Sequence, residues 1–228
     1  MKFGTIRYLE WFKTKEKAEI DLCQSGAEKL SLKNLGLNME ELDISGENLA
    51  GYLPLLEAIA ERYGVKSENV VTTLGTSHAL FLACAALLKR GDEVLVEKPA
   101  YEPLLAVPEA MEAKILRFER KFEERYQLDL EELSKLLSPQ TKLVILTNLH
   151  NPSGVYLTSS FLKEMAESAK SVGFLVDEIY LDFLEGQEKK SSFSLAENII
   201  VVSSLTKVYG LGGLRCGWIL ASTELAKK

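Results

Sequence analysis

An α/β fold is what the sequence predicts: three layers, with a mostly parallel seven-stranded mixed sheet between helices and the last strand antiparallel. Three observations lead there. From Val70 onward, short apolar runs of strand length alternate with longer stretches of helical periodicity, the pattern of a parallel sheet covered on both faces. Polar and glycine-bearing groups follow several of these runs, where open α/β sheets carry their binding residues. The run from Leu214 to Leu220 follows Val202 too closely for a right-handed crossover helix, so it must return antiparallel.

The elements follow in order. Residues 1–45 read as an N-terminal segment, a short helix near Ile6 to Lys15 and then an extended arm; residues 46–228 read as one large domain. Pro54 to Tyr63 predicts a helix with proline in its first turn and Leu55, Leu56, Ile59 and Ala60 on its apolar face. Ser77 to Leu88 is apolar nearly all round, a helix buried on both sides. Strands are expected at 70–73, 93–97, 114–118, 142–147, 174–177, 199–203 and 215–220, and helices at 101–112, 129–137 and 158–172. Ser138-Pro139 breaks one helix and Thr158 caps the next. Thr223 to Lys228 reads as the start of another.

Composition excludes several classes of function. The chain has 228 residues, 46% of them hydrophobic, enough for a sizeable core. Its 27 basic and 33 acidic residues give a net charge of −6 with no basic block, so neither nucleic acid nor an anionic membrane is expected as a partner. The longest apolar run, Ala79 to Leu88, is too short to span a bilayer, and the N-terminus lacks an apolar signal core. Cys23, Cys84 and Cys216 form no close pair, which points to a reducing compartment, the cytoplasm. His78 and His150 lack partners at metal spacing and read as local hydrogen-bonders; no metal is expected.

The chemistry concentrates in Ser-Ser-Leu-Thr-Lys-Val-Tyr-Gly-Leu-Gly-Gly-Leu-Arg-Cys-Gly, residues 203–217. A lysine able to lose its proton forms Schiff bases with carbonyl compounds, and Lys207 stands here among hydroxyls and glycines, eight positions before Arg215. Arginine holds phosphate through several hydrogen bonds, and a glycine-rich backbone lets an anion approach. An aldehyde-bearing phosphorylated cofactor needs this set, and pyridoxal 5'-phosphate is such a molecule. Three further groups stand at strand exits: Gly75-Thr76-Ser77, Asn151-Pro152-Ser153-Gly154 and Asp177-Glu178-Ile179-Tyr180. Gly75, Thr76 and Ser77 fall at a helix N-terminus, where free N–H groups and the helix dipole favour phosphate.

In that order the four motifs resemble the class I/II aminotransferases of the aspartate aminotransferase fold type, from about Leu22 to the end. The resemblance implies a role for each residue. Lys207 would hold the cofactor covalently and shuttle the proton, while Arg215, Ser204, Gly75, Thr76 and Ser77 would hold its phosphate. Asp177 would face the pyridine nitrogen, Tyr180 and Asn151 would bond the phenolic oxygen, and Tyr101 would stack on the ring. Gly26 and Asn151 fall near the substrate carboxylate, and Glu178, without a role, reads as solvent-facing or interfacial. Amino acids and 2-oxo acids are the implied substrates, and a homodimer the implied assembly. One departure stands out: Gly46 occupies the position where the family usually has a tyrosine reaching the neighbouring subunit's phosphate. The family's small C-terminal domain, which carries the carboxylate-gripping arginine, is not represented, so residues 1–228 read as a large domain expected to fold but not to transaminate efficiently. The same fold also serves carbon–sulfur and other β-eliminating lyases and, without catalysis, ligand-sensing domains of regulators.

Overall fold

The computed structural model describes residues 3–16, 18–38, 40, 46, 48, 51–186 and 190–228. The expected boundary at 45/46 adjoins residues outside those described. Seven strands form one sheet: β1 Val70–Thr73, β2 Glu93–Lys98, β3 Lys114–Glu119, β4 Thr141–Thr147, β5 Gly173–Asp177, β6 Ile199–Ser204 and β7 Gly217–Leu220. Their order across the sheet is β1-β7-β6-β5-β4-β2-β3. β2 to β6 pair in parallel. The expected reversal falls on β7, which runs antiparallel to both β6 and β1 and so lies inside the sheet. β7 begins at Gly217 instead of 215 because Arg215 takes a left-handed backbone, φ 50°, which a strand cannot accommodate.

The helices are α1 Arg7–Thr14, α2 Leu53–Tyr63, α3 Thr76–Leu87, α4 Pro103–Ala110, α5 Leu130–Leu136, α6 Ser159–Ser168 and α7 Thr223–Ala226. α6 stops four residues short of the sequence expectation. The Asn198 amide donates to the carbonyl of Ala166 in the last turn of α6 and to those of Ala169 and Val172 beyond it, which supports the chain as it unwinds towards β5. Side chains cap three starts: Asp129 for α5, Thr158 for α6 and Ser222 for α7.

Alternation along the strands divides the core. In β4, Val144 and Leu146 join a cluster with Ile59, Leu162, Met165 and Trp218. Leu143 and Ile145 face the other way, into a cluster with Leu80, Cys84, Leu104 and Ile219. Both faces of the sheet are therefore covered, which is why its central strands read as unbroken apolar runs. Because β7 is reversed, its first residue, Gly217, lies level with the last residues of β6 and β1, Ser204 and Thr73. One end of the sheet thus collects the exits of six strands and the entry of β7.

Candidate functional site

That end holds a cavity of about 450 Å³. Lys207 reaches it from the loop after β6. The loop is held by three bonds: Ser204 Oγ accepts from Thr206 N at 3.3 Å, Leu205 N donates to Cys216 O at 3.0 Å, and Leu211 N to Leu205 O at 3.1 Å. The arm runs beside it, Ala27 N donating to Lys207 O at 2.7 Å. Gly26 is needed at this crossing, since a Cβ there would lie 2.9 Å from Lys207 O. Lys207 Nζ donates to Ser25 Oγ at 2.6 Å. Burial pushes the Lys207 pKa down, against the pull of the Asp177 charge. The amine is thereby brought closer to the neutral, nucleophilic form.

Asp177 ends β5 and is 5% exposed. Its Oδ1 accepts from Ile179 N at 3.1 Å. Burial pushes its pKa up to about 7; Glu97 and Glu178 add to the rise and Lys207 opposes it. Tyr180 follows at the turn into residues 181–183, and burial raises its hydroxyl too. Tyr101 stands before α4 with its ring edge-on to Tyr8, centroids 5.8 Å apart, and burial lifts its hydroxyl to about 12. Asn151 is set by its own backbone, whose N–H donates to Thr147 Oγ1 at 2.9 Å.

The anion side is built from β1, α3 and Arg215. Gly75, at φ 90°, turns the chain from β1 into α3, whose first residues are Thr76 and Ser77. The Arg215 guanidinium lies against Gly75, where a Cβ would come within 2.7 Å of Nη2. It donates to Leu74 O at 2.8 Å and Gly212 O at 3.3 Å, with further N–H groups to spare. Thr76 Oγ1 is buried without a hydrogen-bond partner. A buried hydroxyl with a free hydrogen-bonding position, beside an arginine and a helix N-terminus, suits an anion.

Thr76, Ser77, Tyr101, Asn151, Asp177, Tyr180, Lys207 and Arg215 all line the cavity. Gly75, Gly26 and Ser204 stand behind the wall, giving the backbone its close approaches. Glu178 corrects the sequence reading: it is 3% exposed, its Oε1 accepting from Ser192 N and Oγ at 2.7 and 2.6 Å. Its N–H bonds Val202 O and so prolongs the strand pairing past Asp177, which turns its side chain to the opposite face, into the protein. Both histidines are local hydrogen-bonders. His78 Nδ1 accepts from Leu74 N; His150 bonds Ser153 Oγ and Pro99 O, and burial holds its pKa down near 4. Among the described residues no cluster suits a metal, and the cysteines are unpaired. Gly46 is exposed.

Sequence reasoning missed Ser25, whose hydroxyl meets Lys207; it foresaw the helix α1 but not that α1 brings Tyr8 and Phe12 to the cavity. Glu102 fastens α1 by accepting from the N–H groups of Arg7 and Tyr8 at 3.0 and 2.7 Å. It also missed the buried pair Glu97–Arg120 beneath the cavity.

Residues 34–228 match the family described as aminotransferase class I and II. The chain belongs to that family. A probable aspartate aminotransferase of Methanocaldococcus jannaschii is 30% identical over 166 residues, 72% of this aminotransferase chain and 44% of the relative. An arginine–pyruvate transaminase of Pseudomonas aeruginosa is 31% identical over 189 residues, 78% of this chain and 48% of the relative. Among solved structures, a PLP-dependent aminotransferase from Streptococcus suis superposes with a TM-score of 0.90 at 28% identity, covering 100% of this chain and 64% of that one. The aspartate aminotransferase of Thermus thermophilus with maleate gives 0.74 at 28% identity over 78% of this chain and 49% of that one. The chain spans about half the length of the curated relatives it matches. No helix among its described residues is long and apolar enough to cross a membrane.

Proposed function

We propose that this chain is the cofactor-binding part of a pyridoxal-phosphate-dependent aminotransferase that moves an amino group between an L-amino acid and a 2-oxo acid. The observation that carries the reading is the meeting, in one cavity, of a lysine with lowered pKa, a buried carboxylate and an anion site. The residues fit the cofactor group by group. Thr76 Oγ1 lacks a partner that a phosphate oxygen would supply, and Asp177 keeps an oxygen free for a cationic ring N–H. The transaminase names of the relatives favour group transfer over β-elimination.

Arg215, Ser77, Thr76 and the first N–H groups of α3 would hold the phosphate. Asp177 would keep the ring nitrogen protonated, Asn151 and Tyr180 would bond the phenolic oxygen, and Tyr101 would pack on the ring face. When bound, pyridoxal phosphate supplies a carbonyl carbon for amines and an electron-withdrawing ring. Lys207 Nζ would be the base that takes the substrate's α-proton and later returns one. Ser25, whose hydroxyl accepts from that nitrogen at 2.6 Å, would hold it at the cavity wall. We place the protein in a reducing compartment such as the cytoplasm, on its unpaired cysteines, and propose a homodimer. Borohydride reduction of the cofactor-loaded protein followed by peptide mapping tests the assignment. Label on Lys207, absent from Lys207→Ala, is expected; label on another lysine defeats it.

A further inference from the structure

We propose that Glu97 is a positioning residue that aims Asn151 into the cavity, acting through Thr147 and clamped by Arg120. The inference rests on Asn151 as a cofactor-facing group. Glu97, near the end of β2, is fully buried, and so is the Arg120 side chain that follows β3. Glu97 Oε1 accepts from Thr147 N at 2.7 Å and Thr147 Oγ1 at 2.6 Å; Oε2 accepts from Arg120 Nη1 at 2.9 Å. All three of these contacts are donors, the set that suits a carboxylate; they and the Arg120 charge oppose the burial that pushes the Glu97 pKa up to about 7, while the neutral His150 ring stands 3.8 Å from Oε2. With its proton committed to Glu97, the Thr147 hydroxyl can only accept on its other side, and it accepts from Asn151 N at 2.9 Å. Arg120 is itself held from behind, Nε donating to Tyr126 O at 2.7 Å. Every bond from Arg120 to Asn151 therefore has a fixed direction.

Stability does not explain the pair, since apolar residues of similar volume usually serve a core at least as well. Its location does. It joins the ends of β2 and β3 to the end of β4, directly beneath the turn that presents Asn151. A glutamine at 97 can keep accepting from Thr147 only by turning its NH2 towards Arg120, donor against donor. In the pair Glu97→Gln with Arg120→Gln the second amide offers an acceptor instead, so the Thr147 contact can return without any charge.

The experiment has two arms on the full-length protein. In the pyridoxal-phosphate-loaded form, Glu97→Gln is expected to move the pH midpoint of the visible band in the same direction as Asn151→Ala. Adding Asn151→Ala to Glu97→Gln should move it no further, and Glu97→Gln/Arg120→Gln should return it towards wild type. Without cofactor, hydrogen exchange at the Asn151 amide should be about tenfold faster in Glu97→Gln, as loss of a buried bond implies, with β5 unchanged. Thr147→Val reads the same link should Glu97→Gln fail to fold. A variant that only lowers the melting temperature, leaving midpoint and Asn151 exchange as in wild type, overturns the proposal, as do additive shifts. If the wild type gives no visible band, the proposed function falls, while the exchange arm still decides whether Glu97 holds Asn151.

Discussion

Asp177→Asn is expected to make the cofactor-free protein more stable while slowing the transamination proposed for the full-length protein. The side chain is 5% exposed and its pKa rises from 3.8 to about 7, chiefly through loss of solvent. A carboxyl group whose folded pKa is raised favours folding most below its unfolded value, and that advantage drains away as pH climbs to the folded value. The window is therefore pH 4 to 7. At 1.36 kcal/mol per pKa unit, the ionised carboxylate costs about 4 kcal/mol at pH 8 relative to an uncharged isostere, but only about 0.5 kcal/mol at pH 4. Asparagine keeps the oxygen that accepts from Ile179 N, so no local bond is lost.

Thermal melts of the cofactor-stripped protein and its variant, from pH 4 to 8, measure this. At about 2–4 °C per kcal/mol for a chain of this size, the variant should melt about 8–16 °C higher at pH 8 and almost level with wild type at pH 4. Loading pyridoxal phosphate should flatten the wild-type trend, because a ring cation gives the carboxylate its missing partner. Turnover should fall about a hundredfold or more with cofactor still bound, since the lost charge acts mainly in the transition state. A gain independent of pH, or a less stable variant at pH 8, would refute the reasoning, because the buried charge would then not be at residue 177.

Gly75→Ala places a methyl group against Arg215 at a backbone angle suited to glycine; inorganic phosphate and cofactor should both bind about tenfold more weakly by calorimetry, with a stability loss of about 1–3 kcal/mol. Glu102→Gln removes the anion that caps α1, at a cost of about 0.5–2 kcal/mol, and should speed proteolytic cleavage between α1 and the arm without shifting the global melt. Lys207→Ala should bind cofactor reversibly but yield no borohydride-fixed adduct by mass spectrometry.

The strands were legible because both faces of the sheet are covered, so Leu143–Leu146 and Phe174–Val176 carry no polar interruption. The reversed direction of β7 followed from chain length alone. Its place between β1 and β6 did not, since no residue in Gly217–Leu220 names a neighbour. Motif spacing brought Thr76, Asn151, Asp177, Lys207 and Arg215 to one wall. The arm's crossing over Lys207 was invisible, because Ala27 N and Lys207 O are backbone atoms and leave no pattern in side chains.

Glu97 had left a signal that went unused. It interrupts Val-Leu-Val-Glu-Lys, a run otherwise fit for a buried strand, and a charge in such a place must have a partner. In a parallel sheet the partner should stand at the exit of an adjacent strand, and Arg120, just past β3, is there. Glu178 departs from its solvent-facing or interfacial reading for a related reason: it stands at a strand exit, but the backbone is still paired at that residue, so the period of two sends its side chain inward. Among the described residues, Glu97, Arg120, Asp177 and Glu178 are the charged side chains buried most completely, and all four stand at the cavity end of the sheet. Burying them there costs stability that apolar residues would not have cost. Such a concentration is what selection for a site, and not for the core, leaves in a sequence: charges set into strand ends whose neighbours are otherwise chosen for packing.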